Sequence, residues 1–486
     1  MTNHYNEEHS TVPLLQHGKQ VSLDFYGNRA LPLRTGGARS TFPVLLFNCL
    51  AVLSLYGVSY NLVLFMVSKL GLSNAAASSQ VSIWTGVHDF SPLLVAYISD
   101  SYLGTFVTTL AGSFVFFGGL ALLSLAVLFL EHQDSPSLAV TWLFFVALYV
   151  VALSKGFVAS LLAFGAGQFD EEDPVEAASK SSYFSWYYFC SSMGLLLAVL
   201  GVVYIEDRMG FSTALFVCGG AILLGIAVFC GAAKLYRYDC ILTGNPFAKL
   251  LHKDSRSSLA GILWVWLGSV VYETMKAQTF SLFVEQAALM DTKVGGFRIP
   301  PASLNSFDPI SFLVWTLVYD RVLVPVMRRA TGNSRGFTFF QRMGAGLVAM
   351  TAAMACAAVL ETERLANFHR QRGTIVLWQI PQFVLIGGSK VFYYVGLVEF
   401  IYERAPENLR TLGVGMVFFA SSVGCFLSGF LVSITSRITG ERGWIPRNLN
   451  DGHLDYFFWL LAALGSANWL FFLAYTNLND WSKRKL

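Results

Sequence analysis

Charge is scarce in this chain. Only 13% of its 486 residues are Asp, Glu, Lys or Arg, about half the ~25% of an average soluble domain. With 55% hydrophobic residues and a mean hydropathy of +0.54, water cannot solvate it as a single globule. A bilayer can, because hydrocarbon accepts apolar side chains on the outside of helices. The net charge of +3 is too small for a nucleic-acid footprint. The seven cysteines, Cys49, Cys190, Cys218, Cys230, Cys240, Cys356 and Cys425, show neither a paired framework nor metal-ligand spacing. Six of them sit in apolar runs and read as small buried hydrophobes, so no metal and no cofactor is expected. Residues 1–41 have no apolar h-region and hence no secretory signal. No zinc motif, nucleophile elbow or Gly-rich phosphate loop occurs, which argues against an enzyme.

What is abundant is apolar length. Twelve runs of about 20 residues, enough to cross roughly 30 Å of hydrocarbon, lie near 42–68, 77–98, 106–130, 138–163, 181–204 and 211–233, then 259–282, 303–328, 338–360, 374–402, 409–435 and 454–476. The 42 glycines suit close helix packing in lipid. The expected organisation is a cytosolic segment 1–41, a six-helix bundle 42–233, a cytosolic linker 234–258, a second six-helix bundle 259–476 and a cytosolic tail 477–486. Lys19, Arg29, Arg34 and Arg39, the linker cations Lys234, Arg237, Lys249, Lys253 and Arg256, and the terminal Lys483-Arg484-Lys485 place both termini in the cytosol by the positive-inside rule. The loops carrying Arg364, Arg370 and Arg372, and Arg437, Arg442 and Arg447, run against that pattern. Six plus six with a hinge between is the arrangement of a two-bundle transporter whose site lies at the midplane between halves. No filter-like repeat suggests a channel.

Particular stretches carry a resemblance. Residues 90–104 read FSPLLVAYISDSYLG, 164–189 read FGAGQFDEEDPVEAASKSSYFSWYYF, and 297–303 read FRIPPAS. Val318-Tyr319-Asp320-Arg321 and Gln341-Arg342-Met343-Gly344 follow, then GLVEFIYERAPENLRTLG at 396–413, with YGNRALPLRTGG near the N-terminus. From about residue 25 to 476 the chain resembles the proton-dependent oligopeptide transporter family, and within it the plant nitrate/peptide branch. The resemblance implies an all-α major facilitator fold and alternating access. Several positions depart from the family's pattern. Where the resemblance implies a first-span acid–base cluster for proton coupling, this chain has Asn48, Ala51 and Val52. The family's fourth-span Lys falls on Val158, with Lys155 about one turn away. A seventh-span His of a nitrate-type relative falls on Lys276. The tenth-span Glu, which the resemblance implies is a receptor for the peptide's amino group in peptide carriers, is Lys390 here, and the fifth-span Asn is Ser192.

Charges inside spans need reasons, since each costs at least about 2.5–3.5 kcal/mol at the bilayer centre. They are His88 and Asp89, Lys155, Glu273 and Lys276, and Lys390. Glu273 and Lys276 share a helix face, either neutralising each other for insertion or forming a site pair that opens for solute or proton. Asp89 either bonds a local kink before Pro92 or titrates with His88 during transport. Lys155 is either a partner for Asp89 or a displaced family Lys. Lys390 either snorkels toward an interface or, as its depth in the tenth span favours, reaches a cavity. Tyr56, Tyr393 and Tyr394 are substrate-site candidates because they flank motif positions. Three lysines minus Asp89 and Glu273 leave the presumed cavity at +1, which favours anions and repels ammonium groups. The expected function is secondary transport of a small solute, nitrate or a carboxylated or zwitterionic metabolite ahead of a peptide. Without the family's coupling cluster, that transport is either uniport or export without protons, or coupled through His88, Asp89 or Glu273. The competing reading is a receptor that keeps the fold without transporting. The plasma membrane and an internal membrane such as the vacuole's are both open.

Overall fold

The computed structural model of the protein describes residues 15–16, 19–20, 23–30, 35–133, 137–170, 173–238, 256–331, 337–404, 410–440 and 443–483. Most of the expected linker, at 239–255 and including Cys240, lies outside the described residues, as does 1–14 of the N-terminal segment.

Twelve helical crossings run in sequence. The first six are Gly37–Ser59 with Leu62–Ser68, Asn74–Ile98, Gly104–His132, Leu138–Ser154 with Gly156–Ala166, Pro174–Leu197 with Val203–Met209, and Phe211–Gly231. The second six are Arg256–Lys276 with Leu282–Ala288, Phe307–Val318 with Val324–Thr331, Phe339–His369, Ile380–Ser389 with Val395–Arg404, Arg410–Thr439 and Leu454–Lys483. Nine helical stretches among the described residues are long and apolar enough to cross a membrane, and one of them, Asn74–His132, is 59 residues and holds two crossings. The crossings outside that set are the seventh and tenth, which carry Glu273, Lys276 and Lys390.

Local chemistry explains several helix starts. The Ser73 and Ser137 hydroxyls accept from backbone N–H groups at the heads of the second and fourth spans, satisfying donors the helix cannot. Thr338 and Gln341 form a reciprocal capping box at the ninth, which gives the Gln341-Arg342-Met343-Gly344 motif a structural task. Its Arg342 lies 4.4 Å over the Tyr319 ring and donates to the Val391 carbonyl at 3.0 Å.

Burial divides into two apolar cores. One gathers Phe47, Trp84, Phe116, Phe157 and Phe229 from the first six spans. The other gathers Tyr272, Met350, Phe383, Tyr393 and Phe458 from the last six. Outward-facing Trp142, Phe216, Leu317 and Leu470 are exposed, as surfaces that meet lipid require.

Between the cores runs a seam of small residues. Ser422 Oγ donates to the Gly86 carbonyl at 2.8 Å, Ser79 Oγ to that of Gly429 at 2.9 Å, and Ser433 Oγ to Ser79 Oγ at 2.8 Å. The second and eleventh spans approach this closely because serine and glycine let backbones meet. Gly424 does the same between the eleventh and seventh spans, where a Cβ would stand 2.6 Å from that of Glu273 and 2.7 Å from the Val270 carbonyl oxygen.

At the end of the molecule that carries the termini, Arg237 forms a buried hub. Its guanidinium donates to both Glu176 carboxylate oxygens, at 2.8 and 3.0 Å, and to the Thr35 carbonyl at 3.0 Å. The Gln168 side chain holds the Arg237 backbone at both N–H and C=O. Gly36, at φ +77, lies so close that a Cβ would overlap Arg237 Nε at 2.2 Å, so both its conformation and the space demand glycine.

Candidate functional site

The three intramembrane lysines all sit where a helix breaks. Lys155 separates Leu138–Ser154 from Gly156–Ala166. Lys276 ends Arg256–Lys276, just before the 3-10 turn Ala277–Phe280. Lys390 opens the π-helical turn Lys390–Tyr394. Such irregular backbone at membrane depth is tolerated where it is buried in protein or lines a cavity, and π turns gather at functional positions.

Each lysine is paired. Lys155 Nζ donates to Asp89 Oδ1 at 2.6 Å and stands 3.1 Å from His88 Nδ1. Lys276 pairs with Glu273 one turn back, with its ammonium 5.9 Å from the centre of the Tyr394 ring. Lys390 Nζ meets Asp308 Oδ2 at 2.5 Å. Trp84 stacks on the imidazole of His88 with ring centres 5.2 Å apart.

A chain of polar contacts crosses the seam. Ser421 Oγ, on the eleventh span, lies 2.7 Å from Asp89 Oδ2 in the first bundle and 3.0 Å from Glu273 Oε2 in the second. A hydroxyl has one proton to donate, so with both carboxylates ionised it satisfies one at a time. The sequence Lys155, Asp89, Ser421, Glu273, Lys276 therefore joins the two bundles through a link that is intrinsically under-satisfied.

Beside it lies a cavity of about 140 Å³ lined by Tyr56, Tyr60, His88, Asp89, Lys276, Asp308 and Lys390, among others. On the side away from the termini it is roofed by Tyr60 of the first span against Phe280 of the seventh, ring centres 5.4 Å apart, with Tyr56 6.0 Å from Tyr60. Ser303 Oγ, reaching the Val199 carbonyl at 3.2 Å, adds a further contact across the seam on that side.

Of the residues singled out from sequence, Tyr56, His88, Asp89, Lys276 and Lys390 line the cavity. Glu273 and Lys155 stand behind it, reaching it through Lys276 and Asp89. Tyr394 lies against Lys276. Tyr393 is placed differently from expectation: the π turn directs it into the second bundle's core, where it stacks on Tyr272 at 4.3 Å and is fully buried. Asn48, where the resemblance implies an acid, donates to Ser191 Oγ at 2.7 Å and ties the first span to the fifth. Ala51 and Val52 are buried apolar packing.

Two residues escaped the sequence reading. Asp308 supplies a third carboxylate, so the expected +1 is corrected to a balance of three lysines against Asp89, Glu273 and Asp308. An acid just inside an apolar run was the available signal. Ser421 gave none, since serines are common in these spans. Among the described residues, no group of three or more His, Cys, Asp or Glu side chains is placed to hold a metal.

Two six-helix bundles, broken helices at their interface and a small polar cavity there define a membrane transporter of the major facilitator type, not an enzyme. The chain belongs to the POT family, whose sequence profile matches residues 106–253 and 245–445, and to its plant NRT1/PTR branch. It is 33% identical to the Arabidopsis thaliana protein NRT1/PTR FAMILY 8.1 over 93% of this chain and 95% of that one. Identity to NRT1/PTR FAMILY 5.11 of the same plant is 33%, over 92% and 95%. The fold matches the crystal structure of the POT family transporter PepTSo with a TM-score of 0.77 at 18% identity, covering 91% of this chain and 98% of that one. A POT family transporter in complex with 5-aminolevulinic acid matches with a TM-score of 0.72 at 13% identity, covering 90% and 96%.

Proposed function

We propose that this transporter moves a small carboxylate-bearing or zwitterionic metabolite by alternating access, without obligatory proton coupling. The observation that carries the reading is the cavity. At about 140 Å³ it is well below the roughly 300–1,000 Å³ of drug-sized pockets, which suits a small solute better than a peptide. Its lysines are held by carboxylates, so a solute carboxylate enters by competing with Glu273 or Asp308 for Lys276 or Lys390, and a solute ammonium finds the carboxylate so released. Charge balance suits a zwitterion, and an anion such as nitrate gains only one side of that exchange. Asn48, Ala51 and Val52 take up no proton at physiological pH, which removes the first span from coupling. The Ser421 link joins solute binding to the seam, because drawing Lys276 away from Glu273 loosens it. Termini in the cytosol, in the plasma membrane or an internal one such as the vacuole's, complete the reading.

The test is flux into proteoliposomes with 5-aminolevulinic acid and nitrate as first probes, with and without an imposed pH gradient. Expected is saturable equilibration of the first probe that a protonophore leaves unchanged. Proton-driven uphill accumulation would refute uncoupled movement and return the role to His88, Asp89 or Glu273. Binding without flux across a wider panel of small carboxylates would identify the non-transporting receptor instead.

A further inference from the structure

One ionisable group in the seam has no part in the cavity. Glu285 lies on Leu282–Ala288, beyond the break in the seventh span and on the side away from the termini, and is 3% exposed. Its Oε1 accepts from Ser78 Oγ of the second span at 3.0 Å, so the contact joins the two bundles. Its Oε2 is buried with no partner.

The surroundings are poor in charge. Glu285's helix packs on Leu62–Ser68, on the second span, and on the 3-10 turns Ala277–Phe280 and Pro301–Ser306. Leu62–Ser68 and the two turns contain no ionisable side chain. On the second span the nearest are His88 and Asp89, ten residues or about 15 Å further along. Lys69, at the end of the first span, is exposed to solvent. Glu206 is engaged by Asn61 Nδ2 at 2.6 Å inside the first bundle. On Glu285's own helix, Gln286 faces the other way, toward Glu361, which Arg364 neutralises at 2.7 Å.

An ionised carboxylate buried here, with one hydroxyl as its donor, is strongly disfavoured, whereas a neutral carboxyl is not. Opening this face parts Ser78 from Glu285 and lets water reach both. We propose that Glu285 is a proton-binding site that latches this face of the transporter, protonated when the seam is closed and ionised when it is open. The proposal rests on the alternating-access reading above. The proton enters and leaves on one face, so the site sets the balance of conformations without driving solute uphill. The closed state binds one more proton than the open state. Acid therefore favours closure and alkali favours opening, by about tenfold in the ratio per pH unit between the two states' titrations.

The test needs no solute. Spin labels at Leu138→Cys and Ile438→Cys, exposed positions on this face at the ends of the fourth and eleventh spans, report the seam by electron–electron distance. They are placed in the full-length chain with the native cysteines replaced and reconstituted in liposomes. The long-distance fraction is expected to rise with pH, and to become independent of pH in Glu285→Gln, a neutral isostere that keeps the Ser78 bond. In unlabelled protein, which settles the matter if the labelled chain folds poorly, infrared spectroscopy is expected to show the carbonyl stretch of a protonated carboxyl. That band disappears in Glu285→Gln and survives in Glu285→Asp. A pH response that persists in Glu285→Gln, or no loss of the band, overturns the proposal. Conformations exchanging in a ratio unaffected by pH overturn the proton site alone, because the flux assay tests alternating access separately.

Discussion

Lys390 and Asp308 show how much one tertiary contact changes the meaning of a residue. Alone, Lys390 is a cation deep in an apolar helix, and the natural inference is an anion receptor. Paired at 2.5 Å with Asp308, it is half of a neutral couple whose partner lies 82 positions away in the chain. Removing one member of a fully buried pair costs about 3–5 kcal/mol because the other charge is left uncompensated. The cost here is smaller, since the Lys390 side chain is 27% exposed. Lys390→Met is therefore expected to lower the thermal midpoint of detergent-purified protein by more than Lys390→Met combined with Asp308→Leu. Both variants should lose solute uptake. Equal midpoints would mean that the pair contributes nothing as a pair.

At the scale of elements, the molecule combines helices built to be rigid with joints built to be loose. The seventh and tenth spans break beside their lysines, and the fourth breaks at its own. The Arg237 hub is the opposite case, tying the segment before the first span, the fourth-to-fifth turn and the chain after the sixth span into one unit. The Arg237 guanidinium beside Glu176, helped by the Asp170 N–H, holds the Glu176 carboxyl below the usual carboxylate range. A depressed folded value stabilises the protein above the unfolded value, and that contribution is lost as pH falls through the folded one. Glu176→Gln is accordingly expected to lower the thermal midpoint at neutral pH, with the difference from wild type shrinking as the buffer is taken into the acid range. A difference that stayed constant with pH would show that the carboxylate's charge is not what the hub uses.

For the whole molecule, an even number of crossings puts both termini on one face, and the basic residues that flank them predict, by the positive-inside rule, that this face is the cytosolic one. Fluorescent or protease-cleavable tags at the two ends should report the same side in intact cells. Opposite sides would require one of the twelve crossings to be absent.

The architecture was legible because a span announces itself locally. Twenty apolar residues in a row have one low-energy home, and motif stretches such as FRIPPAS or GLVEFIYERAPENLRTLG identify the family with no knowledge of contacts. The intramembrane charges were equally visible, since each is expensive enough to stand out one at a time. Two of their pairings, Lys276 with Glu273 and Lys155 with Asp89, were open to sequence reading, and the remaining partners were not. Asp308, Ser421 and the Ser78–Glu285 contact come from chain positions 82, 332 and 207 residues from the groups they meet. A hydroxyl or a near-terminal acid costs too little to mark itself in an apolar run. Sequence alone therefore determined the membrane, the twelve crossings, the family and the absence of ionisable side chains at Asn48, Ala51 and Val52. Tertiary structure alone decided the charge balance of the cavity, the burial of Tyr393 and the Ser78–Glu285 contact across the seam, because electrostatic balance and desolvation depend on which distant helices face one another.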